Sequence, residues 1–169
     1  MIRHALTLLF VTPALAACAA TGSPQTAASF PEAHPFNPLL DAHAAVDAAL
    51  AKARDENRLV LLTLGANWCH DSRAFAGWLE TPRFAALVEE RYVPVYVDVG
   101  IPQMGDGFNL DIATRFGMDP PEGTPTVLVL TGEGEMLNTP EDAEGWRNAS
   151  MRSEEEILGW LESWTAASR

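Results

Sequence analysis

The sequence predicts an α/β domain with a central mixed sheet flanked by helices. Three observations carry that expectation. Arg58-Leu-Val-Leu-Leu-Thr-Leu64 is a continuous apolar run, the pattern of a strand buried on both faces. Two further strand-like runs, Tyr92–Val99 and Thr126–Thr131, alternate with helical segments instead of following one another directly. Ser153-Glu-Glu-Glu156 is a capping box that opens a closing helix.

In chain order, Leu40, Ala44, Val46 or Asp47 and Leu50 fall near helical spacing, with Ala abundant through Ala53, so residues 39–56 read as a helix. The buried strand follows, then a turn at Gly65-Ala66-Asn67 and a helix from Cys69 to Leu79. Thr81-Pro82 restarts a helix, Thr as N-cap and Pro at the first helical position, running to Glu90. Pro94 sits near the start of the next strand, where a missing donor is tolerated. Residues 100–108 form a Gly-rich loop; Asn109 caps a short helix, Leu110–Phe116, which Gly117 ends. Past Thr131, Gly132-Glu-Gly134 turns the chain and Glu135–Leu137 is expected as a short edge strand. Ile157, Trp160, Leu161 and Trp164 make the apolar face of the last helix. There are no internal repeats.

Composition limits the function. Hydrophobic residues make up 47% and charged residues 20% of the 169 residues, which is ordinary globular composition. Lys and Arg number 11 against 23 Asp and Glu, a formal charge of −12. Such a surface repels phosphate backbones and anionic lipid, and no basic patch interleaved with aromatics offsets it. No nucleic-acid partner is expected.

The two cysteines, Cys18 and Cys69, have different surroundings. Met-Ile-Arg-His precedes an apolar run, Ala5–Ala17, too short to span a bilayer as a helix. Leu15-Ala16-Ala17-Cys18 then looks like a bacterial lipobox. Residues 1–17 are accordingly expected as a lipoprotein signal peptide, with Cys18 lipidated and the chain held at the cell envelope, facing the periplasm. The competing reading is ordinary secretory cleavage at a nearby Ala-rich site. An acidic chain cannot anchor through basic residues, so attachment must come from more than one acyl chain. Residues 18–37 are rich in Ala, Ser, Thr and Pro and read as a tether, with Phe30 and Phe36 suited to dock on the domain. The folded domain is expected over 38–169. With Cys18 acylated, Cys69 is the one remaining thiol.

Cys69 follows a buried strand and opens a helix, preceded by Trp68, and Thr124-Pro125-Thr126 leads into a later buried strand. Over roughly residues 39–165 this order resembles the thioredoxin superfamily, with the Trp-Cys dipeptide and the Thr-Pro-Thr step as its most specific marks. Asn67-Trp-Cys-His-Asp-Ser72 followed by Leu79-Glu-Thr-Pro-Arg-Phe84 is most similar to the branch containing periplasmic thioredoxin domains of membrane-bound thiol reductases. The resemblance implies a cis proline at Pro125 lying against the reactive Cys69. It places Trp68, His70, Asp71 and Thr124 beside a substrate. A cysteine at a helix N-terminus also faces free N–H groups and the positive end of the helix dipole, which favour the thiolate. A protonated His70 pushes the same way and Asp71 pushes back.

Two departures decide the expected chemistry. Family members that cycle dithiol and disulfide carry Cys at the position of Ser72, and many carry a buried acid where this chain has Thr63. Serine cannot form a disulfide, so the resolving step is lost. What remains is attack of Cys69 on a disulfide, giving a mixed disulfide that an external thiol releases. Substrates are then protein thiols or disulfides of the envelope, in a reductase, isomerase-like or deglutathionylating exchange. Ser72 either donates a hydrogen bond to the Cys69 sulfur or merely fills space. The alternative is a catalytically silent module that binds extended segments beside Thr124-Pro125.

Other candidates carry less. His4, His34 and His43 do not cluster with Cys69 at metal-ligand spacing, so no metal and no cofactor are expected. Asp106, Asn109 and Asp111 miss the spacing of a calcium loop. Trp78, Trp160 and Trp164 read as core, while Trp146 and the 100–108 loop border a possible substrate groove.

Overall fold

In the computed structural model, residues 30–167 are described, with side chains through Trp164. Cys18, the expected leader 1–17 and the part of the expected tether up to residue 29 lie outside the described residues. Helix α1, Ala42–Glu56, begins where Asp41 accepts a hydrogen bond from the Ala44 N–H (3.0 Å). It ends at Asn57, whose φ of 52° is the left-handed cap that Asn tolerates.

Strand β1, Leu59–Gly65, is buried along its whole length and occupies the centre of a three-stranded sheet. On one side it pairs in parallel with β2, Tyr92–Asp98. On the other it pairs antiparallel with β5, Thr126–Leu130. The crossover from β1 to β2 carries α2, His70–Glu80, and α3, Pro82–Arg91. The mixed sheet is therefore as expected, and the continuous apolar run has its physical reason: side chains alternate between two cores. Val60, Leu62 and Leu64 face α1. Leu59 and Leu61 face Phe75 of α2, Phe84 of α3 and the last helix, α6, Glu154–Ala167. Tyr92 ties α6 to the sheet by donating its hydroxyl to the Leu161 carbonyl (2.5 Å), and burial pushes that hydroxyl well above the ordinary tyrosine range.

Several local expectations are corrected. Thr81 holds the N-cap position of α3 with Pro82 behind it, as expected, but its hydroxyl makes no capping bond and donates back to the Trp78 carbonyl (2.9 Å) at the end of α2. Asn109, unlike Thr81, does not hold the expected cap position. It adopts φ 56° and its amide donates to the Asp98 carbonyl (3.0 Å), while Leu110 holds the cap position of α4, Asp111–Arg115. The Gly-rich loop is a small hairpin, β3 (Gly100–Ile101) against β4 (Asp106–Gly107), around a 3-10 turn at Pro102–Met104. Glu135–Leu137 makes a single bridge, Leu130 to Met136, rather than an edge strand. The reason is Asn138, buried beside β5. Its side chain accepts from the Val129 N–H and donates to the Val127 carbonyl (both 2.9 Å), taking places a further strand would fill. Helix α5, Pro140–Glu144, was not anticipated. Its start carries a legible signal, Thr139 capping the Asp142 N–H with Pro140 at the first helical position. The capping box of α6 forms as expected, Glu156 accepting from the Ser153 N–H at 2.8 Å.

The expected docking of Phe36 is met, and it extends to its neighbours in the arm. Residues 31–37 pack along the domain: Ala33 and Phe36 are buried with Ala76, and Phe36 meets Tyr96 edge-on at 5.6 Å. No helix among the described residues is long and apolar enough to cross a membrane.

Candidate active site around Cys69

Cys69 is the N-cap residue of α2, extended in backbone and 7% exposed. Its thiol donates to the Thr124 carbonyl oxygen (Sγ to O 3.4 Å), and the Thr124–Pro125 peptide is cis. The structure thus brings together Cys69, Thr124 and Pro125, which are 55 and 56 positions apart in sequence. The antiparallel pairing of β5 with β1 makes this possible, because Thr126 lies opposite Leu64 and the preceding turn falls beside the end of β1.

Ser72, carried from the resemblance as a catalytic position, is fully buried. Its oxygen accepts from the Ala66 N–H at 3.4 Å, so it braces the turn between β1 and α2. Of the two readings of Ser72, this placement favours space filling. Asp71, expected among substrate-contacting residues, is also buried. One carboxylate oxygen accepts from the Ser150 N–H (2.9 Å) and the Ser150 hydroxyl (2.7 Å). It clasps the first turn of α2 to the 3-10 turn at Ala149–Met151. Its other oxygen lies 3.3 Å from Nε2 of the exposed His70. Replacing Asp71 with Ala leaves two half-buried Ser150 donors without their acceptor. We expect a loss of about 1–3 kcal/mol, read as a lower urea midpoint with an unchanged slope.

Trp68 is 48% exposed and donates its indole N–H to the Gly100 carbonyl at 2.9 Å, which fixes the hairpin beside the thiol. Trp146, expected to border a groove, is instead fully buried against Phe75 and Trp160. Thr63 is fully buried on β1, and its hydroxyl has no hydrogen-bond partner among the described residues. That place therefore holds no ionisable group to serve a neighbouring thiol.

Several site residues escaped the sequence reading. Asn67 grips the backbone of Phe36 twice, accepting from its N–H (3.2 Å) and donating to its carbonyl (2.7 Å). Arg73 donates to the carbonyls of Asn67 and Trp68 (3.0 Å each) and to Glu32 (3.1 Å), holding the Trp-Cys turn from below. Gly77 lies so close to the N-terminal arm that a Cβ there would stand 2.3 Å from the Pro31 carbonyl oxygen. The contacts to Phe36, Glu32 and Pro31 span 31 or more positions, beyond any local pattern.

His43 pairs with Asp111 of α4 at 3.2 Å, and no cluster of His, Cys, Asp and Glu suited to a metal occurs among the described residues.

Comparison with known proteins places this geometry. A family model described as thioredoxin-like matches residues 41–132, spanning α1, the Cys69 turn and the Thr124-Pro125 step. The crystal structure of a disulphide isomerase from Xylella fastidiosa Temecula1 is similar over 79% of this chain and 98% of that chain, with 31% sequence identity and a TM-score of 0.69. A search of curated proteins gives no significant match. With the family pattern met in sequence, sheet order and site, the chain belongs to the thioredoxin-like family.

Proposed function

We propose that the protein rearranges disulfides of envelope proteins through Cys69 alone. One observation carries this reading. Cys69 holds the N-cap position of α2 with its sulfur on the Thr124 carbonyl beside Pro125, while the position one turn on holds a buried serine that accepts from the Ala66 N–H. The Cys69 thiolate attacks one sulfur of a substrate disulfide. The substrate S–S bond breaks, a bond to Cys69 forms, and the departing sulfur takes up a proton. A second thiolate of the same substrate then attacks the mixed disulfide, giving a new pairing and returning Cys69 with no net oxidation. Where external thiols attack instead, two of them are oxidised to one disulfide and the substrate is reduced. The similar disulphide isomerase supports the exchange chemistry.

The decisive experiment is recovery of activity by a reduced-then-mispaired multi-disulfide protein. Wild type should accelerate recovery in a buffer holding only trace thiol, and Cys69→Ser should not. Equal recovery with both would favour the second reading, a silent module that binds extended segments. The low exposure of Cys69 is the observation on its side.

For the anchor, the Leu15-Ala16-Ala17-Cys18 pattern leads us to propose lipidation at Cys18 and an envelope location facing the periplasm. Cys18→Ser should move the protein from the detergent phase to the aqueous phase after expression in a bacterial host. Identical partitioning of the two forms would refute it.

A further inference from the structure

Most large apolar side chains of a folded domain that remain exposed are scattered singly, and a cluster marks an interaction surface. Here Trp68, Ile101, Met104 and Phe108 are exposed together on one feature, the β3–β4 hairpin and the tryptophan bound to it. Met104 is 73% exposed at the hairpin tip. The feature is built, not loose. Gly100 has φ 64°, and a Cβ there would stand 2.5 Å from the Asp106 carbonyl oxygen and 2.7 Å from the Phe108 ring. Phe108 donates its N–H to the Val99 carbonyl (3.2 Å), and Val99 donates to the Gly65 carbonyl (3.0 Å), so the hairpin continues the sheet edge next to Cys69.

Charge narrows the occupant. Asp98 and Asp106 flank the apolar side chains, and neither has a cationic partner among the described residues; Asp98 only accepts from the Gly100 N–H (2.9 Å). A second copy of a chain with formal charge −12 is repelled from such a surface, and so is an anionic membrane. An extended apolar segment bearing Lys or Arg is attracted. A flexible exposed methionine suits a surface that must accept many sequences.

We propose that this hairpin is the docking platform for substrate, and that it selects extended apolar polypeptide segments carrying basic residues. As a substrate assignment this rests on the reading of Cys69 as the exchange centre. The platform's own binding is independent of that chemistry, and its test uses the full chain carrying Cys69→Ser. The probes are short cysteine-free peptides rich in Val and Leu, one with Lys and one with Glu, titrated by calorimetry. The Lys peptide should bind more tightly. Ile101→Ser combined with Met104→Ser should weaken it about tenfold. Asp106→Lys should remove the preference for Lys over Glu, a change of about threefold. Leu39→Ser, exposed on the turn before α1, should leave binding unchanged.

Binding that ignores the Ile101 and Met104 substitutions overturns the proposal. So does equal binding of the two peptides, or concentration-dependent self-association that occupies the same surface. If the platform behaves as stated but wild type forms no mixed disulfide with a cysteine-bearing version of the Lys peptide, the exchange reading fails and the platform stands. If wild type forms that adduct at a rate and affinity indifferent to the hairpin, the platform alone fails.

Discussion

Replacing Ser72 with Cys shortens the life of the Cys69 mixed disulfide by about two orders of magnitude, because the resolving thiol becomes intramolecular. In the native chain that thiol must come from outside. Covalently trapped partners should therefore be visible on non-reducing gels of wild type and absent from Cys69→Ser. Quench-flow with a labelled peptide disulfide reads the lifetime directly. The new thiol enters a fully buried position beside a tight turn, where the larger sulfur costs about 1–3 kcal/mol of stability. The acid that many family members place at position 63 to take its proton is here Thr63. Adding Thr63→Asp should raise turnover of the Ser72→Cys protein further. Adducts that survive Cys69→Ser, or a lifetime indifferent to Ser72→Cys, would remove the thiol from the function.

Phe36→Ala destabilises the domain by about 3–5 kcal/mol, the cost of truncating a fully buried aromatic. Truncating a residue of a free tether would cost near zero, so urea unfolding discriminates sharply between a docked arm and a free one. The Phe36 ring fills the space over Gly65, where a Cβ would stand 2.7 Å from the ring, and it meets Tyr96 edge-on. Asn67→Ala should cost less, about 1–3 kcal/mol, by leaving the Phe36 N–H and carbonyl unpaired. The two effects should be strongly non-additive, because both release the same arm. Since Asn67 also begins the Trp-Cys turn, release of the arm should weaken peptide docking at the hairpin less than it slows exchange at Cys69. Peptide binding to the Asn67→Ala chain, compared with its mixed-disulfide rate, checks that split.

The family resemblance carried by Trp68-Cys69 and Thr124-Pro125 implied their meeting, and the sequence by itself determined the fold class and the order of the principal elements. Each rests on a pattern written within a few residues: an apolar run that only a doubly covered strand can bury, Pro placed where a helix starts, a capping box, and a Trp-Cys step after a strand. It also shows a serine where dithiol members of the family carry their second cysteine, a matter of composition and not of geometry. What only the tertiary structure decided is where polar side chains spend their hydrogen bonds. Asp71 could have faced a substrate, yet it is buried on Ser150, which lies 79 positions away. Ser72 turns to Ala66, Asn138 replaces part of a strand, and Asn67 and Arg73 bind the arm that composition marked as tether. An Asp, Asn or Arg has several partners open to it, and the sequence pattern around it is the same for all of them. Only the fold, by bringing distant backbone groups within about 3 Å and excluding water from them, selects one.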